Sequence, residues 1–211
     1  MKGLILWVGW NTFLAVIPIV LALLVYRLAR PSFARLSIAS KALTLAVGAA
    51  WLFFLPNTCY LLTEWRHYLE QLGYTSLQWR WHTDSGALVE LMMYTLFYMC
   101  YSGIGLLTFA LAVRPVARVF RNSGADLWVW GFPLFILNSL GVYLGLILRY
   151  NSWEMLTRPS QIWASVASIS TRPVLFSFII AFAGFLWLAY VITDIWVDGF
   201  VARWKQIRGN G

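Results

Sequence analysis

The chain has 211 residues, of which 61% are hydrophobic and 11% charged, and its 16 Lys and Arg against 8 Asp and Glu give a formal charge of +8. Soluble domains are about 45–50% apolar and about 25% charged, and 13 Trp, 10 Tyr and 14 Phe with a mean hydropathy of +0.70 set this chain further apart. Such a composition excludes a disordered chain, a nucleic-acid-binding tail and a secreted disulfide scaffold, and leaves an integral membrane protein.

A helix needs about 20 mostly apolar residues to cross a hydrocarbon core of roughly 30 Å, and five stretches qualify. Leu4 to Tyr26 is stopped by Arg27, Arg30 and Pro31. Ala42 to Leu62 is interrupted late by Pro56, and Ala87 to Val113 is closed by Arg114 and Pro115. Leu127 to Leu148 ends at Arg149, and Pro173 to Thr193 ends at Asp194. The apolar runs are continuous, not alternating, which excludes a barrel. The expected fold is all-α, a single transmembrane helical domain over 1–211. The first run is too long for a cleaved leader and lacks a small-residue cleavage site, so it reads as a retained span.

Basic residues order these spans. With the N-terminus outside and the C-terminus inside, the inner segments carry Arg27, Arg30, Arg35, Lys41, Arg114, Arg118, Arg121, Arg203, Lys205 and Arg208 against Asp126, Asp194 and Asp198, a net +7; the outer segments are left with +1. That partition fits the positive-inside rule. It also accounts for the basic excess by anionic lipid headgroups and excludes a nucleic-acid partner.

Two outer segments connect the spans. Thr63 to Gly86, with Trp65, Trp79, Trp81 and two His, is too polar to span and is expected as a loop. Thr157 to Thr171 places Ile162, Trp163, Val166 and Ile169 at near-helical spacing, the pattern of a short interfacial helix. Gly141 and Gly145 form a small-xxx-small pair suited to packing helices within the bundle. Cys59 and Cys100 fall at depths roughly 20 Å apart at about 1.5 Å per residue, too far for a disulfide, and are expected as two packed thiols.

Polar groups inside a span are costly and therefore informative. Here they gather in the outer half: Asn11, then Asn57, Thr63 and Glu64 with His67, then Glu90 and Tyr94, then Asn138, with Arg149, Asn151 and Glu154 beyond the fourth span. Asn57, Tyr60, Glu64 and His67 are spaced 3, 4 and 3 apart, which puts them on one helical face. Pro56 removes a backbone hydrogen bond just before them and is expected to kink or open the helix, with Asn57 free to take a released carbonyl. Glu64 and His67 at i, i+3 suit a proton-sharing or catalytic acid–base pair; solvation at the headgroup level, or pairing with Arg66 or Arg149, is the plainer alternative. A metal would need a further ligand from His82, Asp84 or Glu154, and no zinc-type spacing supports one. Arg149 suits an anionic ligand, lipid phosphate, or a clamp on Glu64 or Glu154. Asn151 and Ser152 can cap a helix starting after them, and Trp153 suits the membrane interface.

WNTFLAVIP (Trp10–Pro18), WLFFLPNTCYLLTEWRH (Trp51–His67) and GVYLGLILRYNSWE (Gly141–Glu154) resemble an uncharacterised bacterial integral-membrane family, domain of unknown function 1361. The resemblance covers nearly the whole chain. It places the family's polar residues on Asn57, Tyr60, Thr63, Glu64, His67, Arg149, Asn151, Ser152, Trp153 and Glu154, with Glu64 and Glu154 standing where Asp is usual. It implies a multi-pass plasma (inner) membrane protein without an established activity or cofactor.

The residues favour a binding or accessory membrane protein. Its outward-facing cleft, built from Asn57, Tyr60, Thr63, Glu64, His67, Arg149, Asn151 and Glu154, would hold a lipid headgroup, a small anionic ligand or a segment of a membrane-protein partner. Two alternatives stay open: a membrane enzyme acting on an envelope lipid or lipid-linked sugar with Glu64 or His67 as general base, and a subunit of a transport assembly. A stand-alone transporter is disfavoured by the odd span count and the lack of an inverted repeat.

Overall fold

The structure, a computed structural model, describes residues 2–30, 36–125, 127–150 and 154–209. Five of its helical stretches are long and apolar enough to cross a membrane: Leu6–Ala29, Ile38–Thr75, Ser85–Asn122, Trp130–Ile147 and Pro173–Gly209. The fold is an all-α bundle, as the uninterrupted apolar runs predict.

Helix α1 (Lys2–Ala29) carries Pro18 in its interior. Helix α2 (Ile38–Phe54) begins at Ser37, whose hydroxyl accepts the Ser40 N–H at 3.2 Å. Pro56 then starts a new helix, α3 (Pro56–Thr63), because proline is accommodated in a first turn, where its missing N–H is not needed. The break is one residue long, and Leu55 keeps helical angles (φ −56°, ψ −40°). Its carbonyl is taken by the Thr58 N–H at 3.1 Å and the Thr58 hydroxyl at 2.8 Å. The expected opening at Pro56 is therefore a tight joint, closed by Thr58 and not by Asn57, which is buried.

The segment expected as an outer loop is helical: α4 (Trp65–Thr75) and α5 (Leu77–Arg80). The correction follows from its aromatic residues, which find partners on α6 (Ser85–Asn122). Trp65 donates from Nε1 to the Ser102 hydroxyl at 2.9 Å, the Tyr68 hydroxyl meets that of Thr95 at 2.9 Å, and Leu77 is fully buried. Asp84 caps α6, accepting the Gly86 N–H at 2.8 Å. The hydrogen bond from Arg80, also 2.8 Å, holds the Asp84 carboxyl below the usual carboxylate range.

Helix α6 does not stop at Arg114 and Pro115 but runs on to Asn122 with Pro115 inside it. Proline is tolerated within membrane helices where neighbouring groups compensate, and the charge of Arg114 is neutralised by Asp194 and Asp198 of the last helix. Helix α7 (Leu127–Val142) widens into a π-turn over Tyr143–Ile147, marked by the Leu148 N–H reaching the Tyr143 carbonyl at 3.3 Å. Short α8 (Glu154–Thr157) leads to α9 (Pro159–Ala167) and a 3₁₀ turn (Ser168–Thr171). The amphipathic pattern there holds: Ile162, Val166 and Ile169 pack on Tyr143, Leu144 and Ile179, while Trp163 points outward. Helix α10 (Pro173–Gly209) completes the chain, continuing well past Asp194.

The main core joins Trp51 and Leu55, Phe109 and Val113, Phe135 and Val142, and Leu186 and Tyr190. Within it the Trp51 indole N–H is satisfied by the Ala112 carbonyl at 2.9 Å, since a buried donor left unpaired would cost about 1–3 kcal/mol. Helix α1 packs on α2, α3 and α6, whereas α7 packs on α3 and α10. Helix α3 thus lies between α1 and α7, and that arrangement sets the site.

Candidate functional site

Helix α7 lies close enough to α3 to need glycine twice. A Cβ on Gly141 would stand 2.6 Å from the Pro56 ring, and one on Gly145 would stand 2.6 Å from Cζ of Tyr60. The small-xxx-small pair is therefore an intramolecular seam, with Tyr60 laid across the backbone of the π-turn. Beneath it Cys59 is fully buried and receives the Asn138 amide N–H at 3.1 Å; Cys100 is free and exposed, so only one of the two thiols expected to be packed is so. The Asn138 Oδ1 is buried without a partner among the described residues.

Over this seam a cavity of about 360 Å³ opens between α1 and the π-turn, with α3 as its floor. Asn11, Tyr60, Glu64, Arg66, His67, Gly145, Leu146 and Arg149 line it. Glu64 occupies the one-residue joint between α3 and α4, where the chain turns with ψ near zero (−1°). The joint aims its carboxylate back toward α1. Its Oε1 accepts the Asn11 amide N–H at 3.3 Å, and its Oε2 lies 3.3 Å from His67 Nε2. The other ring nitrogen, Nδ1, is 3.1 Å from Glu70 Oε2, and Glu70 Oε1 accepts from Arg66 Nε at 2.9 Å. A continuous chain results, from Asn11 through Glu64, His67 and Glu70 to Arg66. Trp7 holds the imidazole edge-on at 5.4 Å between ring centroids. An imidazole hydrogen-bonded to a carboxylate is oriented for proton transfer or for donation to a ligand.

Arg149 closes the cavity from the other side. Its φ is +58°, and the Tyr150 N–H reaches back to the Leu144 carbonyl at 3.0 Å, so Arg149 sits in the left-handed position that glycine usually takes after a helix end. A non-glycine residue there costs of order 1 kcal/mol or more. Arg149 is exposed at the cavity mouth and has no ion-pair partner among the described residues. The clamp on Glu64 or Glu154 does not form: Glu64 turns to Asn11 and His67, and Glu154 lies 3.5 Å from Arg158.

Of the residues singled out in the sequence, Tyr60, Glu64, His67 and Arg149 meet at the cavity. Asn57 is buried beside it, and Thr63 turns its hydroxyl back to the carbonyls of Cys59 (3.3 Å) and Tyr60 (3.1 Å). Glu154 is not among the lining residues, and Asn151, Ser152 and Trp153 lie outside the described residues. Asn57, one turn before Tyr60 on α3, is covered by packing and does not reach the cavity lining. Arg66 and Gly145 had no assigned place at the site. The i, i+4 spacing of Arg66 and Glu70 was the available sign for the first, and the second is seen only when Tyr60 is placed. Among the described residues no group of three His, Cys, Asp or Glu converges as a metal site; His82 stacks on Trp81 and Asp84 caps α6.

A second charged cluster was not anticipated. Arg114, 9% exposed, pairs through Nε with Asp194 at 2.7 Å and through its other arm with Asp198, joining α6 to α10 at the end of the bundle away from the cavity. The end of the bundle away from the cavity is thus not free of polar groups; the carboxylates come from α10 at i, i+4, one turn apart on one face.

The family model described as "Protein of unknown function (DUF1361)" matches residues 10–189. The match takes in α1 from residue 10 on, all of α2 to α9 and about half of α10, with every cavity residue, and the chain belongs to that family. No curated protein and no solved structure matches the chain.

Proposed function

We propose that this member of the family is a multi-pass protein of the plasma (inner) membrane that binds a ligand in the cavity between α1 and the π-turn. The observation that carries the proposal is Arg149, held in a strained backbone position without an ion-pair partner among the described residues, on the same cavity as the Asn11–Glu64–His67 chain. Strain kept at a cavity rim is a mark of function, and an Arg beside a polar recess suits an anionic group. The +7 against +1 partition of charge supports an N-terminus outside and a cavity that opens outward. Leu6, Trp10, Ile147 and Leu148 are exposed on the two flanking elements, so the mouth also faces lipid. The ligand is a lipid headgroup or a small anion. Mass-spectrometric analysis of ligands co-purified with wild-type protein and with the Arg149→Ala, Glu64→Ala double variant tests this. A ligand lost from the variant is expected, and identical content in both overturns the proposal.

One observation favours a second reading, an enzyme acting on an envelope lipid or lipid-linked sugar. The His67 ring lies between two carboxylates, an arrangement suited to a general base. Turnover of the membrane lipid pool should then fall at least a hundredfold in His67→Ala and Glu64→Gln; unchanged turnover removes this reading.

A further inference from the structure

The cavity is lined by groups of opposite charge carried on different elements. Arg66 is engaged by Glu70 at 2.9 Å, which leaves Arg149 as the guanidinium without an ion-pair partner among the described residues. Lining the same cavity is the Glu64 carboxylate, steadied by Asn11 and His67. A pocket built for a simple anion would gather donors around one point. This one holds a carboxylate and a guanidinium on different elements, and a ligand that satisfies both carries a cation and an anion a few bonds apart. The cation is a hydrogen-bond donor: Tyr60 is the single Phe, Tyr or Trp among the described lining residues, so these form no aromatic cage of the kind that holds a quaternary ammonium. About 360 Å³ lies at the lower end of the range for ligand pockets and fits a headgroup, not a whole lipid. The exposed apolar residues beside the mouth, Leu6 and Trp10 on α1 and Ile147 and Leu148 at the end of the π-turn, lie where acyl chains would continue into the bilayer.

Resting on ligand binding in this cavity as its premise, we infer that the cavity takes a phosphate-bearing zwitterion with a primary ammonium, the chemistry of an aminophospholipid headgroup, with the phosphate at Arg149 and the ammonium at Glu64.

The test titrates the purified full chain in detergent micelles with four probes. These are short-chain phosphatidylethanolamine, phosphatidylglycerol (no ammonium), phosphatidylcholine (methylated ammonium) and the water-soluble glycerophosphoethanolamine. Intrinsic tryptophan fluorescence serves as readout, since Trp7 touches His67. The ethanolamine lipid is expected to bind at least tenfold tighter than the glycerol and choline lipids. Glu64→Gln should erase that preference, Glu64→Asp should retain it, and Arg149→Gln should weaken all three lipids at least tenfold. Glycerol or choline lipid binding as tightly as the ethanolamine lipid overturns the zwitterion assignment and leaves the ligand cavity standing; this comparison needs no variant to fold. Unchanged affinity for every lipid in a folded Arg149→Gln protein overturns the cavity proposal itself. Glycerophosphoethanolamine binding as tightly as the lipid overturns the lipid source and identifies a soluble zwitterion.

Discussion

Two clusters of charge sit in this bundle, one toward each end, and they are built oppositely. Around Arg114 the site is closed: one guanidinium, two carboxylates, helix packed on helix. At the outer cluster the groups line a cavity. Asn11, Glu64, His67, Glu70 and Arg66 form a chain, while Arg149 stands across the gap without an ion-pair partner among the described residues. Charge that is fully consumed by neighbouring charge fastens helices. Charge left facing a cavity, on a backbone that is strained to keep it there, is available to something else.

This contrast is open to test by asking what each cluster loses when it is cut. The largest effect is expected at the closed one. Arg114→Met leaves Asp194 without its partner between α6 and α10. Breaking a fully buried pair costs about 3–5 kcal/mol, and the solvent-facing position of Asp198, 65% exposed, reduces this to about 2–3 kcal/mol. The thermal midpoint in detergent should drop accordingly while co-purified ligand is retained. Next comes the seam under the cavity. Gly145→Ala drives a methyl into Tyr60, an overpacking worth about 1–3 kcal/mol. Adding Tyr60→Ala, which removes the obstacle, should make the double variant more stable than the sum of the two single effects. A third effect has the opposite sign. Arg149→Gly relieves the left-handed backbone and should raise stability by about 1 kcal/mol, yet abolish ligand retention. Stability and binding moving apart at one residue would separate the two clusters most directly. The smallest effect is expected at Arg80, whose partner Asp84 is solvent-exposed: Arg80→Gln should leave the thermal midpoint unmoved.

The sequence made the cavity cluster legible and the Arg114 cluster not, for a physical reason. Glu64 and His67 come after a proline-broken apolar run, and Arg149 ends one, so each is conspicuous where it stands. Arg114 precedes a proline, and Asp194 ends an apolar run of about 20 residues; both look like ordinary span ends, because one-dimensional hydropathy cannot tell a charge in the headgroups from a charge buried against the next helix. Only the approach of α6 to α10 distinguishes them. The same limit explains α4 and α5. Their tryptophans and tyrosines read as loop residues by polarity, but Trp65 and Tyr68 are held by Ser102 and Thr95, more than 25 residues away in the chain. Span number and four of the residues that meet at the cavity, Tyr60, Glu64, His67 and Arg149, were readable because they stand at the ends of local runs. The seam was half readable: Gly141 and Gly145 announced a close approach, but not that Pro56 and Tyr60 would fill it.

The two free cysteines turn this architecture into its own reporter. Cys100 is exposed on α6, while Cys59 lies sealed under the α3–α7 seam with the Asn138 amide against its sulfur. A membrane-permeant maleimide should modify Cys100, exposed on a membrane-spanning helix, before Cys59, which is reached only as often as Tyr60 lifts away from the π-turn. The slow phase of labelling is therefore a clock for breathing of the cavity floor, present in the native chain without an engineered probe, and a ligand that seats against Tyr60 should slow that clock.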